Sequence, residues 1–240
     1  MRLLLAVFAI SLLCACSQAP NESISSAGEP STGPAVLSYL SRDAIEVQAA
    51  LPAPPVPDSS PDFSELNEIL GFQSSRTRAD CDRANREGIG NLAHFFGAPD
   101  GSLSADEISH WNPLFERVAS DIDYFVTREK KFWGRERPYG EDPGIRPCVP
   151  LEKDGSYPSR SATEARAFAD ILTTLIPAEK TAFLNRADQI ANDQVIAGLH
   201  FRSDVLAGQE LGDAIYQALV QSFAFEQDLS ALPRSSSQRL

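Results

Sequence analysis

Four runs of apolar residues at helical spacing constrain this chain more than any other feature. Ile108, Trp111, Phe115, Val118, Ile122 and Phe125 recur at intervals of three and four, which on a helix lines them up as one stripe. A second stripe runs through Ala162, Ala165, Phe168, Ala169, Leu172, Leu175 and Ile176 and is stopped by Pro177, since proline lacks the N–H that would continue a helix. Phe183, Leu184, Ala187, Ile190, Ala191, Val195 and Gly198 form a third, and Val205, Leu206, Leu211, Ile215, Leu219 and Phe223 a fourth. Strand-like alternation is scarce. Each helix must therefore bury its stripe on other helices, and the expected fold is all-α, a single-domain helical bundle.

The first residues read differently. Arg2 precedes an apolar run from Leu3 to Leu13, followed by Cys14-Ala15-Cys16. A charged start, an apolar middle and a small residue before a cysteine form the pattern of an export signal of the lipoprotein type. Residues 1–15 are expected to be removed and Cys16 to receive the lipid, because Ala15 is small and Leu13, before Cys14, is not. An ordinary signal peptide cut nearby is the alternative, and the run is too short to span a bilayer. Ser17 after the cysteine is similar to the pattern of bacterial lipoproteins sent to the outer membrane, so a periplasmic location with a lipid anchor follows as an expectation. Residues 16–34, rich in Ser, Pro, Gly and Ala, read as a flexible tether, residues 35–230 as the domain and residues 231–240 as a polar tail.

Beyond Cys14 and Cys16 the cysteines are Cys81 and Cys148, and in an oxidising compartment an isolated pair is most simply a disulfide. Together with His94, His110 and His200 they make no zinc spacing, so no metal is expected. The formal net charge of −12 argues against nucleic acid or an anionic membrane surface as partners, leaving the lipid as the membrane attachment. Cations nevertheless concentrate locally. Arg128, Lys130, Lys131, Arg135 and Arg137 lie close together, offset by Glu129 and Glu136. That cluster suits either a small anion pocket or a solvated helix end whose basic residues favour the helix dipole.

His200 precedes Asp204 by four residues at the mouth of the fourth stripe. A carboxylate that accepts the proton of one ring nitrogen sets the tautomer and leaves the other nitrogen a free lone pair, able to act as nucleophile or base. A helix-end contact has the same spacing.

Taken with Lys130 through Arg137-Pro138 and with Ser156-Tyr157-Pro158-Ser159-Arg160-Ser161-Ala162-Thr163, the order of motifs resembles the type 2 phosphatidic acid phosphatase and vanadium haloperoxidase superfamily, and more closely the bacterial class A nonspecific acid phosphatases. That family carries Lys-x6-Arg-Pro, then Pro-Ser-Gly-His, then Ser-Arg-x5-His-x3-Asp. The first motif is intact. In the second, Arg160 and Ser161 stand for glycine and histidine. In the third, Asp193 and Gln194 stand for Ser-Arg, with His200 and Asp204 kept. The resemblance runs from about Tyr39 to Gln209. It implies that the segment from Leu51 to Pro61, whose five prolines exclude regular helix, wraps the domain, with Leu37, Tyr39 and Leu40 as anchors.

The resemblance further implies phosphomonoester hydrolysis without a cofactor, on a small phosphorylated substrate. Lys130, Arg137 and Ser159 would hold phosphate oxygens, His200 would attack phosphorus and Asp204 would orient it. Ser161 stands where the family's histidine protonates the leaving oxygen, a contribution worth roughly a factor of 100 to 10,000. Gln194 replaces a phosphate-clamping arginine, and Arg160 either returns that cation or blocks the pocket. Ser161 also has a purely structural reading, as the start of a capping box with Glu164. Three functions compete on these residues: a periplasmic phosphatase altered in rate or specificity, a phosphate-binding protein without turnover, and a vanadium haloperoxidase.

Overall fold

A computed structural model describes residues 37–47, 51–88 and 90–233, all within the unit Ala35–Leu240. The expected signal peptide, the Cys16 lipidation site, the tether and most of the polar tail lie outside the described residues. Among those residues the chain is helical without strands, as the apolar stripes predict. One isolated bridge pairs Gly97 with Leu103. No described helix is long and apolar enough to cross a membrane.

Helix α1 spans Ser60–Ser75 and α2 Arg78–Glu87, opened by a capping box between Thr77 and Asp80. The short α3, Leu92–Phe96, leads to the long α4, Ala105–Trp133, which Ser104 and Glu107 cap reciprocally. The first stripe is the buried face of α4: Trp111, Phe115, Val118, Ile122 and Phe125 are each no more than 1% exposed. After the single turn α5, Pro138–Glu141, an irregular segment runs to α6, Arg160–Leu175. A 3-10 turn, Pro177–Glu179, then leads into α7, Lys180–Ile196. Helices α8, Arg202–Leu219, and α9, Phe223–Ala231, complete the order.

The fourth stripe departs from expectation at Leu206, which is 50% exposed, and at its end. Helix α8 stops at Leu219, and Phe223 opens α9 with its ring 80% exposed. The apolar face that continues inward is supplied by Phe225 instead, stacked edge-on against Tyr39 at 5.4 Å.

Helix α6 is the centre of the bundle, packed on α4, α7 and α8. Its approach to α8 is close because α8 carries glycine at the crossing. A Cβ on Gly208 would lie 2.6 Å from the Ser159 carbonyl oxygen, a separation real side chains do not tolerate, so the two backbones meet directly. That contact sets the start of α6 against the start of α8. Phe168 on α6 meets Phe115 on α4 edge-on at 4.9 Å, an arrangement favoured by the ring quadrupoles.

The entry segment is tied down as expected. The buried carboxylate of Asp121 on α4 accepts the backbone N–H groups of Ser38, Tyr39 and Leu40. Leu51 is buried and the Pro52 carbonyl accepts the Tyr157 hydroxyl. Cys81 on α2 is joined to Cys148 in the irregular segment, with Cα atoms 5.7 Å apart. The Cys148 N–H also bonds the Ala197 carbonyl at 3.1 Å, which anchors that segment beside the turn after α7.

Candidate active site

The chain ends of four helices converge here. Lys130 lies in the last turn of α4, Arg137 caps α5, Ser159 caps α6, and His200 sits in the turn joining α7 to α8. Gly198 makes that turn possible. Its φ of 83° lies where a Cβ would collide with the following carbonyl, and the reversal it allows brings His200 inward to 1% exposure.

The two ring nitrogens of His200 have unlike partners. Nδ1 is 3.3 Å from Asp204 Oδ2, while Nε2 is 3.2 Å from Arg137 Nη1. A guanidinium can only donate. Nε2 must then accept, so the ring proton sits on Nδ1 and the Nε2 lone pair points toward the cations. Burial, reinforced by the Arg137 charge, holds the His200 pKa below its ordinary 6.5. The ring is therefore neutral at neutral pH, as a nucleophile requires.

Asp204 is fully buried and densely held. Besides His200 it receives the Ser156 hydroxyl at 2.5 Å, the Phe201 N–H at 2.9 Å and Arg135 Nη1 at 2.8 Å. Burial by itself raises a carboxyl, but the His200 bond, the Arg135 charge and the Ser156 bond outweigh it and hold Asp204 below the usual carboxylate range. Arg135 lies 3.8 Å above the Phe201 ring and also reaches Asp62 and Glu65. The basic cluster thus divides. Arg137 faces Nε2 of the histidine and shares two carboxylates with Lys130, Arg135 faces the carboxylate Asp204, and Lys131 is exposed.

Lys130 is 4% exposed, which excludes the solvated helix end for this residue. Burial and the neighbouring Arg137 lower its pKa against the opposing pull of Asp154 and Glu152. Two carboxylates from the irregular segment engage both cations. Glu152 Oε2 is 2.5 Å from Arg137 Nη2 and 3.9 Å from Lys130 Nζ. Asp154 is 2.7 Å from Arg137 and 2.9 Å from Lys130. An incoming phosphate meets cations that already hold anions.

The remaining expected positions divide. Ser159 is buried, and its hydroxyl accepts from the Ala162 N–H at 3.4 Å as the cap of α6. The capping box from Ser161 to Glu164 is thereby overturned: the helix begins one residue before Ser161, whose N–H is already inside the first turn. Arg160 is not brought to the cations. Its guanidinium pairs with Asp123 and Thr127 on α4. Gln194 is 1% exposed and neither amide atom finds a partner among the described residues. Asp193 beside it makes a bidentate pair with Arg83 of α2, at 2.6 and 2.7 Å. His94 is half-buried in α3, while His110 is exposed with Nδ1 2.6 Å from the Asp106 carbonyl oxygen; neither bonds to the cluster.

Sequence reasoning missed Ser156, Glu152, Asp154 and the role of Arg135. The only signal for Ser156 was its place just before Tyr157-Pro158. The Lys-x6-Arg-Pro spacing singles out Arg137 but gives no role to Arg135, since the connector that turns the two to opposite sides of His200 is irregular.

Comparison with known proteins finds acid phosphatases. The chain is 27% identical over 210 residues to a non-specific acid phosphatase of Providencia stuartii, covering 80% of this chain and 82% of that protein. It is 27% identical over 190 residues to an acid phosphatase of Zymomonas mobilis, covering 74% and 70%. These similarities support the PAP2 and acid phosphatase superfamily for this chain. A further relative in this superfamily, a non-specific acid phosphatase of Salmonella typhi, is 28% identical over 153 residues, 59% of each chain. Among solved structures, the first transmembrane PAP2 type phosphatidylglycerolphosphate phosphatase from Bacillus subtilis matches with a TM-score of 0.48 and 18% identity, over 66% of this chain and 84% of that one. No protein-family profile matches the chain.

Proposed function

We propose that this protein hydrolyses phosphomonoesters through a phosphohistidine formed on His200, and that it does so in the periplasm, held to the outer membrane by a lipid on Cys16. The observation that carries the reaction is the pair of unlike partners on His200: Asp204 on Nδ1, a guanidinium on Nε2. Arg137 and Lys130 are the groups that can neutralise the phosphoryl oxygens while Nε2 approaches phosphorus, Arg as a planar fork and Lys as a point charge. Asp204 stabilises the positive charge that develops on the ring as the N–P bond forms. Water then releases phosphate and returns the lone pair to Nε2. The relatives named acid phosphatases support a small phosphorylated substrate.

Rapid quenching into alkaline detergent with a phosphorus-radiolabelled monoester tests this. Label that is acid-labile, base-stable and lost in His200→Ala is expected; equal labelling of the variant would place the chemistry elsewhere. The location rests on the N-terminal sequence pattern, and palmitate labelling that persists in Cys16→Ser would refute the anchor.

A second reading, phosphate binding without turnover, is favoured by one observation: the Gln194 amide stands where the family has an arginine, and among the described residues no cation but Arg137 bonds His200 Nε2 and none but Lys130 and Arg137 pairs with Glu152 or Asp154. Absence of phosphohistidine together with saturable binding of inorganic phosphate would select it.

A further inference from the structure

The phosphatase reading leaves one role unfilled. A leaving alkoxide needs a proton, and Ser161, at the family's histidine position, has no accessible pKa to supply it. One turn further along the same helix lies Glu164, three residues on and so on the same face. Its side chain is only 5% exposed. Room for it exists because residue 90 is a glycine: a Cβ there would come within 2.0 Å of Glu164 Oε2.

The surroundings of this carboxyl are those of a buried acid rather than an ion pair. Arg160, whose charge it feels, bonds Asp123 and Thr127 instead. Its other charged neighbour is Glu152, the carboxylate that contacts Arg137 Nη2 at 2.5 Å. Arg137 in turn faces His200 Nε2 at 3.2 Å. Glu164 thus feels the charge of a carboxylate that itself contacts the cations expected to hold the phosphoryl group. Burial above all, with the Glu152 charge added and Arg160 opposing, pushes its pKa up to about 8, so that it carries a proton at neutral pH.

We propose that Glu164 is the general acid of this protein, protonating the leaving oxygen in place of the histidine that Ser161 replaces; this role rests on the phosphohistidine reading above. In the first step the Nε2 lone pair forms the N–P bond, the P–O bond breaks with its electron pair on oxygen, and that oxygen takes the Glu164 proton and departs as an alcohol. In the second, water attacks phosphorus and gives a proton to the Glu164 carboxylate. The N–P pair returns to Nε2 and phosphate leaves, restoring both groups.

The test compares the mature protein with Glu164→Gln on glycerol 2-phosphate and on para-nitrophenyl phosphate, whose phenolate leaves without protonation. The variant should lose roughly 100-fold or more in kcat on the alkyl ester and less than about tenfold on the aryl ester. Adding Ser161→His to Glu164→Gln should recover the alkyl activity selectively. Equal losses on both esters, or none on either, in a folded variant would overturn the role of Glu164 while leaving phosphohistidine formation intact. Wild-type protein inert toward both esters and forming no phosphohistidine would overturn the functional reading and this role with it. Should the glutamine variant not fold, the wild-type profile decides. The groups facing Glu164 are Arg160 from its own helix and Glu152 from the connecting segment, with glycine at position 90. Alkyl but not aryl turnover should then fall on the basic side with an apparent pKa near 8, and coincident profiles would overturn the proposal.

Discussion

Arg135 Nη1 lies 2.8 Å from Oδ1 of Asp204, leaving Oδ2 to His200, Ser156 and the Phe201 backbone. The carboxylate that sets the histidine tautomer is thus held in place by an arginine that never faces the phosphate side. Arg135 is also the common partner of Asp62 and Glu65, so its charge offsets three acids at once.

Replacing it with Met should leave those carboxylates without their shared cation. Loss of one partner of a buried pair costs roughly 3 to 5 kcal/mol, and urea denaturation should show a loss of this size. Arg135→Lys should recover part of it. In Arg135→Lys, kcat should fall with KM little changed, because Asp204 acts through His200 rather than on substrate; a rise in KM alone would show that Arg135 binds the phosphoryl group.

The lowered pKa of His200 carries a sign that can be checked. A group depressed below its ordinary 6.5 by burial and by Arg137 stays neutral, and nucleophilic, as the pH falls through that value. The acid limb of kcat/KM should accordingly lie below pH 6.5. A limb above it would mean that the imidazole is not the group being titrated.

Glu152 and the incoming phosphate compete for Arg137. An ion pair at partial exposure contributes roughly 0 to 1 kcal/mol, and Asp154 continues to hold the guanidinium in place. Glu152→Gln should therefore tighten inhibition by inorganic phosphate, by up to about fivefold. Inhibition constants measured side by side would show it, and weaker inhibition in the variant would mean that Glu152 positions the cation rather than competing for it.

The Cys81–Cys148 bridge closes a loop with a sequence separation of 67. On the chain-entropy account a loop of that length stabilises by roughly 4 kcal/mol. Cys81→Ser/Cys148→Ser should unfold at correspondingly lower urea, and reductant should bring the wild-type protein to the same midpoint. Coincident midpoints for the oxidised and reduced wild-type protein would show that the loop is already restrained by other contacts, of which the Cys148 to Ala197 bond is one.

By itself the sequence determined the four striped helices, α4, α6, α7 and α8, and the short stretches that carry the motif residues. Ile122 and Phe125 on α4, or Phe168 and Leu172 on α6, declare their buried face through spacing alone, because helix periodicity is a local property. The order of Lys130, Arg137, His200 and Asp204 was legible for the same reason: each lies within a short stretch whose residue types and separations carry the chemistry. What those stretches touch is decided elsewhere. Arg135 and Arg137 are two residues apart and serve opposite sides of His200. Arg160 turns to Asp123 instead of the cations, and Ser159 rather than Ser161 caps α6. Glu152 and Asp154 come back onto Lys130 from an irregular segment. These outcomes depend on the close crossing of α6 and α8 at Gly208 and on the reversal at Gly198. Side-chain direction in an irregular connector follows from which backbones can approach one another, and no pattern of spacing along the chain encodes that.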